Sequence, residues 1–242
     1  MIVTFTDFGA VGPYLGQMEM AIRRSFPAVP VITLMADAPA FDPRTSAYLL
    51  AALVADVPAG AVVLAVVDPG VGGERPPLVA RIDGRWFVGP GNGLFEPLLR
   101  RADSAETWEI VWRPDTLSAS FHGRDLFAPV AARLAAGNAP EAIGCRSAIP
   151  RRFPDWPDDL AEVIYLDHYG NAWTGLRAAG LAADTTAELA GRRFRRGRTF
   201  GDVPKGTGFW YENSSGLVEI AINGGRAAEM DGVAPGAVVT LR

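Results

Sequence analysis

The sequence predicts an α/β fold: an N-terminal α/β sandwich with a largely parallel sheet, then a small C-terminal β-barrel domain. Three observations predict it. Over the first 145 residues, short apolar runs rich in β-branched residues alternate with longer stretches of helical spacing. The texture then breaks at Ile149–Asp159, IPRRFPDWPDD, which holds three prolines and no periodicity. Beyond it come short strand-like runs separated by glycine-rich turns. Strand–helix alternation argues for a parallel sheet with helical crossovers. Short strands between glycine turns argue for a barrel.

Taken in order, Ile2–Thr6, Pro30–Met35 and Val62–Val67 read as buried strands. Between them, Pro13–Phe26 carries Leu15, Met18, Ala21, Ile22 and Phe26 as roughly one helical stripe. Asp42 and Pro43 read as an N-cap and first helical position, opening a helix through Val54. Leu78–Ile82 and Trp86–Val88 flank Asp83-Gly84, a hairpin signal. Asn92–Arg101 and Arg124–Ala136 read as helices, Gly137 ending the second. After the break, Glu162–Leu166, Phe209–Glu212, Leu217–Ile222 and Ala237–Leu241 read as strands. The expected domains are 1–148 and 161–242, joined by a linker over 149–160.

Composition narrows the function. The 242 residues are 49% hydrophobic and 21% charged, an ordinary globular balance. The net charge of −4 argues against a nucleic-acid partner held by bulk charge. One cysteine, Cys145, and two histidines, His122 and His168, exclude an intrachain disulfide, a cysteine zinc cluster and a histidine-rich metal site. Arginine is abundant and Lys205 is the only lysine. The start, MIVTFTDFG, has no basic segment, and no apolar run approaches the about 20 residues of a membrane span. The expectation is a soluble, cytoplasmic protein with no membrane partner.

Polar clusters follow the expected strands, where open α/β sheets bind ligands. Asp7, in Thr6-Asp7-Phe8-Gly9, suits a ribose diol or a turn cap. In DPGVGGER, Asp68 and Arg75 are placed to fold back on one another, as a structural ion pair or as part of a site. That loop lacks the Gly-Lys-Ser/Thr of a phosphate loop. Asn92 in GPGNGL is a helix cap or a ligand contact. His122 in FHGRD sits at a loop-to-helix junction, as a general-base candidate or a satisfied structural histidine. Arg124 and Asp125 suit capping and pairing. In DHYGNAW, Tyr169 and Trp173 suit a planar base, and Asn171 both donates and accepts; ordinary strand packing is the alternative. The hydroxyls of NSSG suit a carboxylate or simple turn chemistry. The arginine run 192–198 reads as a solvated face.

In this order, TDFG, DPGVG with an arginine seven residues after its aspartate, GPxNGL, FHGRDxFAP, DxYGNxxT and NSSGxxEIA resemble the S-adenosylmethionine hydroxide adenosyltransferases. These are relatives of the fluorinases and chlorinases. The resemblance implies an enzyme that turns S-adenosylmethionine and water into adenosine and methionine, without a cofactor. It implies a homotrimer, with ligand held between one subunit's N-terminal and a neighbour's C-terminal domain. It assigns Asp7 to the ribose hydroxyls, Asp68, Arg75 and His122 to water activation, and Phe41 to the ribose and sulfonium. Asp167 would meet the methionine ammonium, and Tyr169, Asn171 and Trp173 the adenine. Ser214 and Ser215 would hold the carboxylate, with the backbone near Gly224 at the adenine edge. Gly91 departs from the aspartate common in relatives, and Trp173 and Gly175 depart from the pattern common in hydrolases, Trp173 in the halogenase direction.

A halide needs no deprotonation, whereas water does, so the Asp68, Arg75 and His122 set favours hydroxide over halide transfer. A non-catalytic module binding adenosine or S-adenosylmethionine is the contrasting expectation; it would not need Arg75 or His122.

Overall fold

The computed structural model describes all 242 residues, Met1–Arg242. It divides into two compact units, Met1–Pro154 and Asp155–Arg242.

The first unit is built on strands β1 (Ile2–Thr6), β2 (Val31–Met35), β3 (Val62–Val66), β4 (Pro77–Ile82), β5 (Arg85–Pro90), β6 (Ala105–Ile110) and β7 (Cys145–Ser147). They form one sheet in the order β2-β1-β3-β5-β4-β6-β7. The first four in that order run parallel. The other three continue the sheet antiparallel, because the Asp83-Gly84 hairpin reverses the chain; Asp83 and Gly84 both take positive φ, 46° and 80°. Every residue of β1 and β3 is buried, as expected of strands covered on both faces. Ile2, Leu64, Val66 and Val88 share a core with Met18 and Ile22 of α1 (Tyr14–Ser25) and with Ala128 and Ala131 of α4 (Ala128–Ala135). On the opposite face Phe87 meets Phe95, ring centres 5.6 Å apart. That side carries α2 (Pro43–Leu53) and α3 (Glu96–Arg101).

Asp42 caps α2 as expected, its Oδ1 accepting from Thr45 N at 3.0 Å with Pro43 next. The helix expected from Asn92 begins only at Glu96. Gly93 has φ 102°, outside the helical region, and Asn92 ties the loop to β3 instead, Nδ2 donating to Val67 O at 2.9 Å. The helix expected from Arg124 opens with a single π turn, Gly123–Phe127, before α4.

The second unit contains β8 (Leu160–Leu166), β9 (Ala172–Arg177), β10 (Thr186–Leu189), β11 (Arg192–Arg196), β12 (Gly208–Glu212), β13 (Leu217–Ile222) and β14 (Val239–Leu241). Their order is β14-β10-β11-β12-β13-β9-β8. The edges approach closure: Val163 N donates to Ala237 O and Gly236 N to Val163 O, both at 2.8 Å. The core includes Val163, Phe194, Trp210, Val218 and Ile220. The arginine run is largely β11: Phe194 is buried while Arg192, Arg193 and Arg195 are exposed. Gly175 sits where a Cβ would lie 2.7 Å from Leu160 O, so its lack of a side chain lets β8 and β9 pair. No helix is long and apolar enough to cross a membrane.

Glu96 anchors the start of the proline-rich stretch. It is 2% exposed and accepts from Arg152 Nε at 2.9 Å and Arg100 Nη2 at 3.2 Å. Arg100 also donates to Phe153 O at 2.8 Å. Burial opposes the charge, but the arginines hold the Glu96 carboxyl below its ordinary pKa. A depressed carboxyl contributes stability above its unfolded pKa and loses it as pH falls through the folded one. Glu96→Ala should therefore cost about 2 kcal/mol at pH 7 by urea denaturation. The deficit should shrink as the pH falls below the usual carboxylate range.

Candidate active site

The carboxyl ends of β1 and β3 deliver Asp7 and Asp68 to one side of the first sheet, and the π turn delivers His122. Asp7, Phe41, Asp68 and His122 line one cleft of about 650 Å³ with Phe8, Tyr14 and Phe121. Those last three rings pack edge to face, 5.6–6.2 Å apart.

Arg75 folds back on Asp68 as expected. Its Nε lies 2.8 Å from Asp68 Oδ1 and 2.9 Å from Oδ2, and Nη2 also donates to Oδ2. The two side chains are 10% and 5% exposed. Arg75 Nη2 lies 2.9 Å from His122 Nδ1. A guanidinium only donates, so Nδ1 accepts and a neutral His122 carries its proton on Nε2. Burial pushes the His122 pKa down, and the positive charge of Arg75 pushes it further, against a smaller pull from Asp68.

Asp7 does not cap α1. Its Oδ2 accepts from Phe41 N at 3.1 Å, and the Pro13 N-cap position has no side-chain bond. Burial raises the Asp7 pKa, and the like charge of Asp68 adds a smaller push; the Phe41 N–H opposes both. Phe41 has φ 60° and is 79% exposed, a strained backbone for an aromatic residue. Arg124 and Asp125 pair with each other at 2.6 Å, and Asp125 accepts from Ser118 N at 3.0 Å. Gly91 sits tight against the chain: a Cβ there would lie 2.8 Å from Pro76 O, which accepts from Gly91 N.

In the second unit, Asp167, Tyr169, Asn171, Trp173, Ser214 and Gly224 line a cavity of about 580 Å³. Ser215 is not in its lining; its N–H donates to Asn213 Oδ1 at 3.0 Å. Asp167 organises its own turn, accepting from Asn171 N at 2.8 Å and Asn171 Nδ2 at 3.2 Å. Trp173 Nε1 is buried without a partner. Phe200, Tyr211, Asn213 and Glu219, to which no sequence motif gives a role, line the same cavity. Glu219 was detectable as the one acid in the apolar strand LVEIAI.

An α/β unit with a carboxylate–guanidinium–imidazole set beyond its parallel strands, followed by a near-closed β-barrel unit, defines a class of two-unit enzymes. The chain belongs to the S-adenosylmethionine hydroxide adenosyltransferase family: residues 2–144 match the family's N-terminal domain and residues 161–240 its C-terminal domain. It is 38% identical to the (R)-S-adenosyl-L-methionine hydrolase of Thermus thermophilus, covering 98% of this chain and 97% of that one. The (R)-S-adenosyl-L-methionine hydrolase of Salinispora arenicola is also 38% identical, over 96% and 93%. Among solved structures, a conserved protein from Thermotoga maritima has a TM-score of 0.90 at 29% identity, with full coverage of both chains. A conserved hypothetical protein from Thermus thermophilus has a TM-score of 0.79 at 36% identity, over 100% and 99%.

Replacing Arg75 with Met should raise the His122 titration midpoint, followed by NMR, from below toward the ordinary value of about 6.5. An unmoved midpoint would show that Arg75 does not set the state of the ring.

Proposed function

We propose that the protein hydrolyses S-adenosyl-L-methionine to adenosine and L-methionine by in-line attack of water on the ribose C5′. The observation that carries the reading is the buried Asp68–Arg75–His122 set in a cleft that also holds Asp7. The relatives' names extend it to the (R) sulfonium epimer.

Methionine leaves as a neutral thioether, so the leaving group needs no acid. The nucleophile is the difficulty. Water has a pKa of about 15.7, so free hydroxide at pH 7 costs about 12 kcal/mol at roughly 1.36 kcal/mol per unit. Arg75 supplies a positive charge that cannot be lost. With Nδ1 occupied by Arg75, neutral His122 offers the water a donor at Nε2. Asp68 accepts from Arg75 through both oxygens; Oδ2 takes two donors, while Oδ1 takes one and keeps a second lone pair. Asp68 is then the group that takes the proton, and His122 aligns the oxygen. Oxygen–carbon bond formation and carbon–sulfur cleavage proceed together, cancelling the sulfonium charge. Alignment of the three atoms supplies much of the remaining acceleration.

Asp7 is assigned to the ribose hydroxyls and Phe41 to the ribose and sulfonium. The second cavity is assigned to the adenine, through Tyr169, Asn171, Trp173 and the Gly224 backbone, and to the amino-acid end, through Asp167 and Ser214; Ser215, outside the lining, is left to the turn. No cofactor enters these steps. The resemblance carries a homotrimer, which sedimentation would register as three times the 25.7 kDa chain. A cytoplasmic location fits the single free thiol, Cys145.

The test is a product assay in ¹⁸O-labelled water. Label should appear on the adenosine 5′ oxygen, the (R) epimer should be consumed first, and chloride should yield no 5′-chloro product. Asp68→Ala and His122→Ala should each lower kcat by at least about 100-fold. Saturable binding with the substrate returned intact would overturn the reading.

A further inference from the structure

Glu219 is a buried acid that this chemistry does not use. It lies in β13, is 2% exposed and lines the second cavity. Two donors reach it: the Tyr211 hydroxyl at Oε1 and Asn213 Nδ2 at Oε2, the latter at 3.0 Å. Tyr211 stands directly opposite it on β12.

Asn213 is the informative partner. It opens the turn between β12 and β13 and is buried. Its Oδ1 accepts from Ser215 N and Leu217 N at 3.0 Å, and its backbone oxygen accepts from Gly216 N, also at 3.0 Å. Three consecutive N–H groups of the turn therefore end on this one residue. A backbone N–H needs an acceptor, so the amide keeps its oxygen toward the turn and its nitrogen away from it. That nitrogen is a buried donor, and Glu219 Oε2 is the acceptor that meets it. Ser214 is exposed and lines the cavity. Its backbone N–H and its hydroxyl end on no protein group, which leaves two donors at one residue for a carboxylate.

We infer that Glu219 is a positioning residue: by receiving Asn213 Nδ2 it fixes the turn that presents Ser214 to the carboxylate of the substrate's amino-acid end. The inference rests on the assignment of Ser214 to that carboxylate. Glu219 acts here as an acceptor, not as a charge. In Glu219→Gln the new amide offers its oxygen to Asn213 and a hydrogen to the Tyr211 oxygen, since a hydroxyl accepts as well as donates. Glu219→Met offers neither. The Asn213 nitrogen is then left unpaired, or the amide flips and the turn loses its acceptor.

The test compares kcat/KM for S-adenosyl-L-methionine and for its decarboxylated analogue in the full chain, in Glu219→Met and in Glu219→Gln, with folding checked by the thermal transition. The wild type should prefer the carboxylated substrate by at least about tenfold. In Glu219→Met the preference should fall toward one, through KM rather than kcat. Glu219→Gln should restore most of it. A general loosening of the fold would slow both substrates alike and leave the ratio unmoved. A folded Glu219→Met with the wild-type ratio, or a Glu219→Gln as impaired as Glu219→Met, would overturn the inference alone. A wild type that turns over both substrates equally would overturn the Ser214 assignment, and one that turns over neither would overturn the hydrolase reading; the inference falls with either. NMR on the wild type tests the same point if Glu219→Met does not fold. The Ser215 and Leu217 amides should exchange slowly and the Ser214 amide quickly, and added L-methionine should shift Ser214 most. Fast exchange at Ser215 and Leu217 would overturn the inference.

Discussion

The contact between Arg75 and Asp68 is the constraint on which the first unit's site depends. It is nearly closed to solvent, and removing one partner of such a pair typically costs about 3–5 kcal/mol because a charge is left buried alone. The pair also decides chemistry beyond itself. Because Arg75 reaches His122 Nδ1 while it grips Asp68, one guanidinium fixes the tautomer of the imidazole and the free lone pairs of the carboxylate together. Lysine has the charge but not the planar fork.

The backbone brings these three groups together through a compact loop pressed against a second segment. Val71 N bonds to Asp68 O at 3.2 Å and Gly73 N to Gly70 O at 3.0 Å. Gly72 takes φ 79°, and a Cβ there would lie 2.5 Å from Ala119 O. Glycine is therefore required twice at this position, for its conformation and for the close approach. The loop after β3 and the segment leading to His122 touch backbone to backbone, and that contact sets the reach of Arg75. The second unit also buries a carboxyl at its cavity: Glu219 of β13 accepts from the Tyr211 hydroxyl of β12 and from Asn213 Nδ2 in the turn between those strands.

Much of this was legible in the sequence where a local rule applied. Asp42-Pro43 marked a helix start, Asp83-Gly84 marked a hairpin, and apolar runs marked β1, β2 and β3 as strands, although β2, expected to be buried, lies at the sheet edge and is largely unburied. The family motifs marked Asp68, Arg75 and His122, and the Asp68–Arg75 pairing was readable from the glycines between them. What escaped depends on partners distant in sequence. Strand β11, Arg-Arg-Phe-Arg-Arg, has one inward residue, and its pairing to β10 and β12 makes it a strand. Strand β9 contains Gly175, which weakens its local signal but permits the approach of β8. Asn92 resembled a helix cap because the positive φ of Gly93 was not visible.

The central claim is that Arg75 holds His122 neutral, with Nδ1 accepting and the proton on Nε2. The most direct test is ¹⁵N NMR of histidine-labelled protein at pH 7. Only two histidines are present, so His122→Gln assigns the signals. The account predicts a pyrrole-type, protonated Nε2 and a pyridine-type Nδ1 at His122. A protonated Nδ1, in the other neutral tautomer or in the cation, would contradict it.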